Sequence, residues 1–235
     1  MIDPSAPTRP EVVVFDAFGT LFDPRATTAG LEAAFPGRGA AIAARWRDLQ
    51  LQLTWQRALM GAYRDFEAVT SDALRSALEE AGIAAAYGEV RRLASLYAGL
   101  PAYADTLPAL HALRALGLRL AIVSNGTPGQ LARLATGAGL PEGIVLLSAD
   151  AARTYKPDPR VYRLVEARTD APPGRTLFVS SNAWDVAGAR HFGFACVWLN
   201  RSGVPFLGAG PPPERTVGGL GDLVASLERS LPAGG

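Results

Sequence analysis

Val12-Val13-Val14-Phe15-Asp16-Ala17-Phe18-Gly19-Thr20-Leu21 is the stretch on which the fold turns. Its first four residues form an unbroken apolar run rich in β-branched side chains, the pattern of a parallel strand buried on both faces. The run ends on a carboxylate, Asp16. Working outward, Leu118 to Val123 ends at Ser124-Asn125-Gly126, Ile144 to Leu147 ends at Ser148, and Thr176 to Val179 ends at Ser180-Ser181-Asn182. Ala195 to Leu199 is a candidate fifth strand. Between these runs lie helix-like stretches with matching start signals: Thr127-Pro128 and Asp158-Pro159 each supply an N-cap followed by proline at the first helical position. Strand and helix alternate, so the expected class is α/β, built on a doubly wound parallel sheet.

Residues 24 to 103 break that rhythm. The segment is almost strandless, rich in Ala, Leu, Arg and Glu, and carries apolar residues at helical spacing in Leu49, Leu53 and Leu59 and again in Leu74, Leu78 and Ile83. It reads as a helical cap inserted after the first strand. The expected organisation is a discontinuous core domain over 10–23 and 104–231, a cap over 24–103, and tails at 1–9 and 232–235. The Gly-Pro-rich stretch Leu207 to Pro213 reads as a surface excursion, and Leu220 to Leu231 as a last helix.

Composition removes several function classes. The chain of 235 residues is 49% hydrophobic and 19% charged, with a formal charge of +1 and its basic residues scattered, so no footprint for nucleic acid is expected. No apolar run reaches membrane-spanning length, so no membrane partner is expected. The single cysteine, Cys196, forms no internal disulfide, and Met1-Ile2-Asp3-Pro4 lacks a charged segment followed by an apolar one, so a reducing cytoplasm is the expected setting. Cys196 and two distant histidines, His111 and His191, are too few for a structural zinc site. Neither histidine lies in a segment that looks like a site, which disfavours a Ser-His nucleophile pair.

Of 23 basic residues, 22 are arginine; the one lysine, Lys156, sits in Tyr155-Lys156-Pro157-Asp158-Pro159. Lysine carries a compact point charge and arginine a planar fork, so a site that needs one ammonium between carboxylates would resist the replacement made everywhere else. In an open α/β sheet, ligands bind outside the carboxyl ends of the strands. Here those ends carry Asp16, Ser124-Asn125 and Ser180 to Asn182, the helix after the last brings Asp185, and Lys156 enters another helix at the same edge.

Phe15-Asp16-Ala17-Phe18-Gly19-Thr20-Leu21, Val123-Ser124-Asn125, Lys156-Pro157 and Ser180-Ser181-Asn182-Ala183-Trp184-Asp185 resemble the four ordered motifs of the haloacid dehalogenase superfamily, whose Rossmann-like core carries a cap. Within it, Phe35-Pro36-Gly37-Arg38-Gly39, Trp46-Arg47, Thr54-Trp55 and Asp65-Phe66 are similar to stretches of the L-2-haloacid dehalogenases. The resemblance implies hydrolysis of short (S)-2-haloalkanoic acids to (R)-2-hydroxy acids and halide, with no cofactor and no metal. Asp16 is then the nucleophile that displaces halide and forms an aspartyl ester. Asp185 orients or deprotonates the water that opens the ester, with Asn182 and Ser180 helping to hold it. Lys156 lies between Asp16 and Asp185 and keeps both ionised. Thr20 and Ser180 orient Asp16, and Tyr162 is a candidate to reach Lys156 or the carboxylates, its other place being the core. Asn182-Ala183-Trp184-Asp185 also fits a helix cap with an acidic residue three positions on.

For the substrate, the resemblance implies a carboxylate clamp of Ser124 with the backbone amides around Ala17 and Phe18, and a halide cradle of Arg47 with Asn125. Phe18, Leu51, Phe66 and Trp184 are candidates for the apolar wall. A homodimer is expected, through cap positions such as Leu49, Leu53 and Leu59.

The residues also separate this reading from a phosphatase. Phosphatases of the superfamily place a second Asp two residues after the nucleophile to protonate an alkoxide; here that position is Phe18, and halide is a weak base that needs no proton. They also hold Mg²⁺ through acidic residues of the fourth motif, where this chain has Ser180, Ser181 and Asn182. The phosphonate-cleaving branch uses a cap lysine, and this cap has none. The competing readings are a phosphatase-like hydrolase with an altered acid, an offshoot acting on fluoroacetate or a strained cyclic imino acid, and a non-catalytic binder of small carboxylates. Two departures bear on the pocket: many relatives have Tyr in place of Phe18 and Gln in place of Asp48, so a carboxylate beside Arg47 either weakens anion binding or points into solvent.

Overall fold

The strand read first lies inside the sheet. The computed structural model describes residues 9–230, and in it β1 (Val12–Phe15) is buried along its whole length. β1 lies between β2 (Arg119–Ser124) and β4 (Thr176–Ser180); β3 (Val145–Ser148) extends the sheet beyond β2, and β5 (Ala195–Leu199) and β6 (Arg215–Val217) extend it beyond β4. The order is β3-β2-β1-β4-β5-β6, with every pairing parallel. The chain leaves β1 toward β2 on one side and later returns to β4 on the other, which makes the carboxyl end of β1 a switch point, where open α/β sheets bind ligands.

Between β1 and β2 the chain runs through α1 (Thr27–Ala34), α2 (Gly39–Met60), α3 (Phe66–Glu80) and α4 (Tyr87–Ala94). Asp65 starts α3 by accepting a hydrogen bond from the Ala68 N–H at 2.8 Å. α2 stops at Gly61, whose φ of +64° is the left-handed conformation that favours glycine. Phe66, Val69, Ala73, Leu74, Ala77 and Leu78 of α3 recur every three or four residues and bury against Ile42, Trp46 and Leu49 of α2. Each fully buried Leu there contributes roughly 1.5–3 kcal/mol relative to an exposed one.

α5 (Thr106–Ala115), α6 (Pro128–Gly137), α7 (Pro159–Thr169), α8 (Ala183–Phe192) and α9 (Leu220–Ser230) flank the sheet. The two-residue period of β1 divides the core. Val13 and Phe15 pack with Leu110 and Leu113 of α5, Leu131 of α6 and Leu223 of α9, in a cluster continuous with the α2–α3 interior. Val12 and Val14 pack on the other face with Val161 and Val165 of α7 and Val186 of α8. Helices therefore cover both faces, as the α/β reading expects. Among the described residues no helix is long and apolar enough to cross a membrane.

Several expectations change in detail. β2, β3 and β4 each run one residue further at the carboxyl end than their apolar runs, so Ser124, Ser148 and Ser180 belong to the strands. β6 had no apolar run to announce it: Arg215 and Thr216 are exposed, as suits a short edge strand. Leu49, Leu53 and Leu59 do not share an open face. Leu49 is in the α2–α3 interior, Leu53 packs partly against it, and Leu59 alone stands out at 89% exposed. The expected tails, except residue 9, and Leu231 at the expected end of the last helix lie outside the described residues.

Candidate active site

Asp16 follows β1 directly, its N–H donating to the Val179 carbonyl of β4 at 2.9 Å, so the sheet fixes its backbone. The next residues close into a tight loop: the N–H groups of Thr20, Leu21 and Phe22 all aim at the Ala17 carbonyl. Gly19 makes that loop possible. Its φ is +88°, and a Cβ there would meet the Ser181 hydroxyl at 3.0 Å. The loop brings the Thr20 hydroxyl to 3.1 Å from Asp16 Oδ2, while Thr20 Oγ1 accepts the Ser181 N–H at 2.9 Å.

The Asp16 carboxylate has two unlike oxygens. Oδ2 accepts from Thr20 and from Asn182 Nδ2 at 2.8 Å, with the Ser180 hydroxyl at 3.5 Å. Among the described residues Oδ1 accepts from Lys156 Nζ alone, at 3.1 Å. The same ammonium donates to Asp185 Oδ2 at 2.9 Å and lies 5.0 Å from the centre of the Phe178 ring, so all of its charge is spent inside the protein. Lys156 is 1% exposed, and its backbone N–H is held by Asn125 Oδ1 at 2.9 Å. Burial alone would push its pKa down; the charges of Asp16 and Asp185 outweigh that and hold it above the ordinary lysine value.

Asp185 is fully buried. Its Oδ1 accepts the Tyr162 hydroxyl at 2.7 Å, and burial pushes it up to about 6, with Lys156 working against the rise and Asp16 adding to it. Tyr162 also packs against Phe178, Phe192 and Phe194, so both places considered for it, the carboxylates and the core, hold at once. Gly188 lets α7 and α8 come close enough for this, because a Cβ there would lie 2.5 Å from Pro157 and 2.7 Å from the Tyr162 hydroxyl. Asn182 does hold the N-cap position of α8, with Asp185 in its first turn, but its side chain does not do the capping. The Asn182 side chain makes no cap hydrogen bond and turns instead to Asp16 and to the Phe18 carbonyl at 3.1 Å.

Of the expected substrate residues, Asn125 bonds Lys156, Phe18 accepts from Asn182 through its carbonyl, and Trp184 directly precedes Asp185. Ser124 Oγ is buried and accepts the Gly126 N–H at 3.1 Å, and Asn125, with Oδ1 engaged, has only its Nδ2 end to offer an anion. The N–H groups of Ala17 and Phe18 meet no acceptor among the described residues. Phe18 stacks on Phe66 with ring centres 5.4 Å apart and meets Tyr97 edge-on. Trp184 meets Trp55 of α2, and Leu51 is half-buried on the same helix. Arg47 is half-buried, with Nη1 donating to Gln50 Oε1 at 2.7 Å. Asp48 is exposed and its charge acts on Arg45, which settles its direction as solvent.

Gln50, Tyr97 and Thr70 were not anticipated, and Trp55 was noted only within a resembling stretch. Gln50 had one signal: three positions after Arg47, it falls on the same helix face. Among the described residues no group of three or more His, Cys, Asp or Glu side chains is placed to hold a metal ion. A divalent cation bridging Asp16 and Asp185 would have to displace the Lys156 ammonium, and the neighbouring Ser180, Ser181 and Asn182 offer no further carboxylate. A magnesium site does not fit these residues.

Comparison with known proteins follows the same lines. The family model described as haloacid dehalogenase-like hydrolase matches residues 10–193. The chain is 41% identical to an (S)-2-haloacid dehalogenase of Pseudomonas putida, over 91% of this chain and 96% of that one. It is also 41% identical to an (S)-2-haloacid dehalogenase of Pseudomonas sp. strain YL, over 92% and 94%. Among solved structures, an L-2-haloacid dehalogenase of Xanthobacter autotrophicus with chloropropionic acid covalently bound matches at a TM-score of 0.87 and 37% identity, over 93% of this chain and 98% of that one.

Proposed function

The chain belongs to the haloacid dehalogenase-like hydrolase family, and from that premise we propose that it is an (S)-2-haloacid dehalogenase, converting short (S)-2-haloalkanoic acids to (R)-2-hydroxy acids and halide. The observation that carries the reading is the Asp16–Lys156–Asp185 line: a strand-end carboxylate with one oxygen anchored by Thr20 and Asn182 and the other facing a single ammonium. Oδ2 is saturated with donors, so Oδ1 attacks C2 of the substrate. The C–O bond forms as the carbon–halogen bond breaks, the halide leaves with the bonding pair, and configuration at C2 inverts. The covalently bound chloropropionic acid of the Xanthobacter relative supports an ester of this kind.

Water then attacks the Asp16 carbonyl carbon. Asp185 accepts a proton from it, and its elevated pKa of about 6 suits a base acting near neutrality. The tetrahedral intermediate collapses with the departing alkoxide oxygen taking the proton from Asp185, which releases the hydroxy acid; the Asp16 carboxyl loses its own proton to solvent and is restored as the carboxylate. Lys156 balances the charge that moves between the two aspartates; Tyr162 fixes Asp185 and Asn125 fixes Lys156. Ser180 and Asn182 hold Asp16, to which they are hydrogen-bonded, and help to hold the water beside it.

Ser124 and the amides of Ala17 and Phe18 take the substrate carboxylate, and Arg47 with Asn125 takes the halide. Phe18, Leu51, Phe66 and Trp184 wall the substrate's side chain, with residues 24–103 acting as the cap domain that supplies part of that wall. The reading includes a homodimer, for which Leu59 and Met60, both exposed at the end of α2, offer apolar surface. It also includes a cytoplasmic setting, supported by the free, buried Cys196.

The test is a pH-stat assay with chloride detection on (S)-2-chloropropionate, with and without EDTA. Halide and acid released in equal amounts, indifferent to chelator, are expected. Chelator-sensitive cleavage of phosphate esters without halide would overturn the reading. A single turnover in ¹⁸O water is expected to label Asp16; label found only in the product would mean direct attack by water.

A further inference from the structure

Arg47 is held differently from the carboxylate-paired arginines around it. Arg45, two residues earlier, pairs with Glu80 through two hydrogen bonds, and Arg57, Arg64 and Arg75 surround Asp72. Arg47 forms no ion pair among the described residues. Its partner is a neutral amide, Gln50 Oε1, at 2.7 Å, and Gln50 is fully buried. The Tyr97 hydroxyl faces the same guanidinium: burial pushes that phenol up, and the charge of Arg47 works against the rise.

The amide can sit only one way round. A guanidinium only donates, so Oε1 must face Arg47, and Nε2 is then left to donate to the Thr70 hydroxyl of α3, which it does at 2.7 Å. Thr70 is itself pinned, because its carbonyl accepts Trp46 Nε1 at 2.8 Å, and the Trp46 ring braces Tyr97 with centres 4.8 Å apart. Two helices thus fix a chain of partners, Thr70 to Gln50 to Arg47, in which no member carries a negative charge. A glutamate in place of Gln50 would have the same shape and reach, and would cancel the charge it positions.

We propose that Gln50 is a positioning residue that aims Arg47 at the leaving group while leaving its charge uncompensated, and so sets how well the enzyme expels the more charge-dense, poorer-leaving halides. The inference rests on the dehalogenase reading given above. Chloride depends on the guanidinium more than bromide does, since it is the smaller ion and its bond to carbon is harder to break. Cancelling the charge therefore penalises chloride first.

The experiment compares wild type, Gln50→Glu and Thr70→Val on (S)-2-chloropropionate and (S)-2-bromopropionate, with inhibition by added chloride and the single-turnover rate of ester hydrolysis as further readouts. For Gln50→Glu, kcat/KM on the chloro substrate is expected to fall roughly ten- to a hundredfold, with a smaller fall on the bromo substrate. Inhibition by chloride should weaken and ester hydrolysis should keep its rate, a split that general loosening of the cap would not produce. Thr70→Val should shift the chloro-to-bromo ratio the same way by a smaller factor, and it decides alone if Gln50→Glu does not fold. An unchanged ratio in the folded variants, or ester hydrolysis slowed in step with halide release, overturns the proposal while leaving the dehalogenase reading intact. Wild type that releases neither halide overturns both.

Discussion

At the sheet edge, Lys156 touches two carboxylates and is closed off from solvent; on the cap side, Arg47 touches a neutral amide and a phenol and is only half-buried. The first cation is already neutralised within the protein, so its task is to hold carboxylates ionised while charge moves between them. The second keeps its charge available, which suits it to an anion that arrives and departs. In the proposed site the two cations thus stand in opposite electrostatic states, and the residue types suit them: a compact ammonium where the space between carboxylates is fixed, a planar fork where a ligand is proposed to be gripped.

The comparison predicts a ranking of losses. Asp16→Asn removes the nucleophile from the closed side and should lower halide release by at least about 10⁴-fold. Turnover within tenfold of wild type would place the attacking group elsewhere. Asp185→Asn should split the reaction: one equivalent of halide appears in a burst, the aspartyl ester accumulates and is visible by mass spectrometry, and steady turnover falls by about 10³-fold. The same residue governs the acid limb. With Asp185 at about 6, ester hydrolysis should fall about tenfold per pH unit below that value. The linkage runs the other way for stability. The folded protein holds the Asp185 proton more tightly than the unfolded chain does, so this group's contribution to stability declines as pH rises from the ordinary carboxylate value to about 6, the interval in which activity grows. A kcat profile with no limb near 6 would remove Asp185 as the base.

Exchanging the cations tests the contrast itself. Lys156→Arg should fold and lose turnover by about 10²-fold, because the fork cannot occupy the ammonium's place between Asp16 and Asp185. Lys156→Met leaves two buried carboxylates facing one another and should cost about 3–5 kcal/mol in urea unfolding. Arg47→Lys keeps a cation on the open side, and its loss in kcat/KM should be nearer tenfold. Equal losses for Lys156→Arg and Arg47→Lys would mean that the two sites do not differ as described.

The two sides also differed in how far they could be read in advance. The closed side was legible because strands announce their ends: Asp16, Ser124 and Ser180 each terminate an apolar run, and parallel strands bring those ends to one edge. Asn182 was ambiguous there, since a helix cap and a carboxylate ligand share the same residue type; tertiary contact with Asp16, which local sequence does not encode, decided between them. The cap side was legible only where it resembled relatives. A buried glutamine looks like a surface residue until its partner is known, and Thr70 lies twenty residues away on another helix. The β6 strand escaped for a related reason: at a sheet edge Arg215 and Thr216 face solvent, so no apolar pattern marks them.

The smallest expected effect comes from the residue that first looked most troubling. Asp48 adjoins Arg47 in sequence, and a carboxylate in contact with the guanidinium proposed to bind halide would cancel it, the effect that Gln50 is proposed to avoid. Successive helix residues are turned by about 100°, however, and Asp48 stands in solvent, where its charge acts on Arg45 instead. The field of the exposed Asp48 passes largely through water, whose high dielectric weakens its influence on Arg47, and about 0.1 M salt weakens it further. Asp48→Gln should therefore change kcat/KM by no more than about twofold at that salt, with a slightly larger gain at low salt as screening falls. A gain above tenfold, insensitive to salt, would mean that Asp48 reaches Arg47 during turnover, and the open side of the site would then be less open than its geometry makes it.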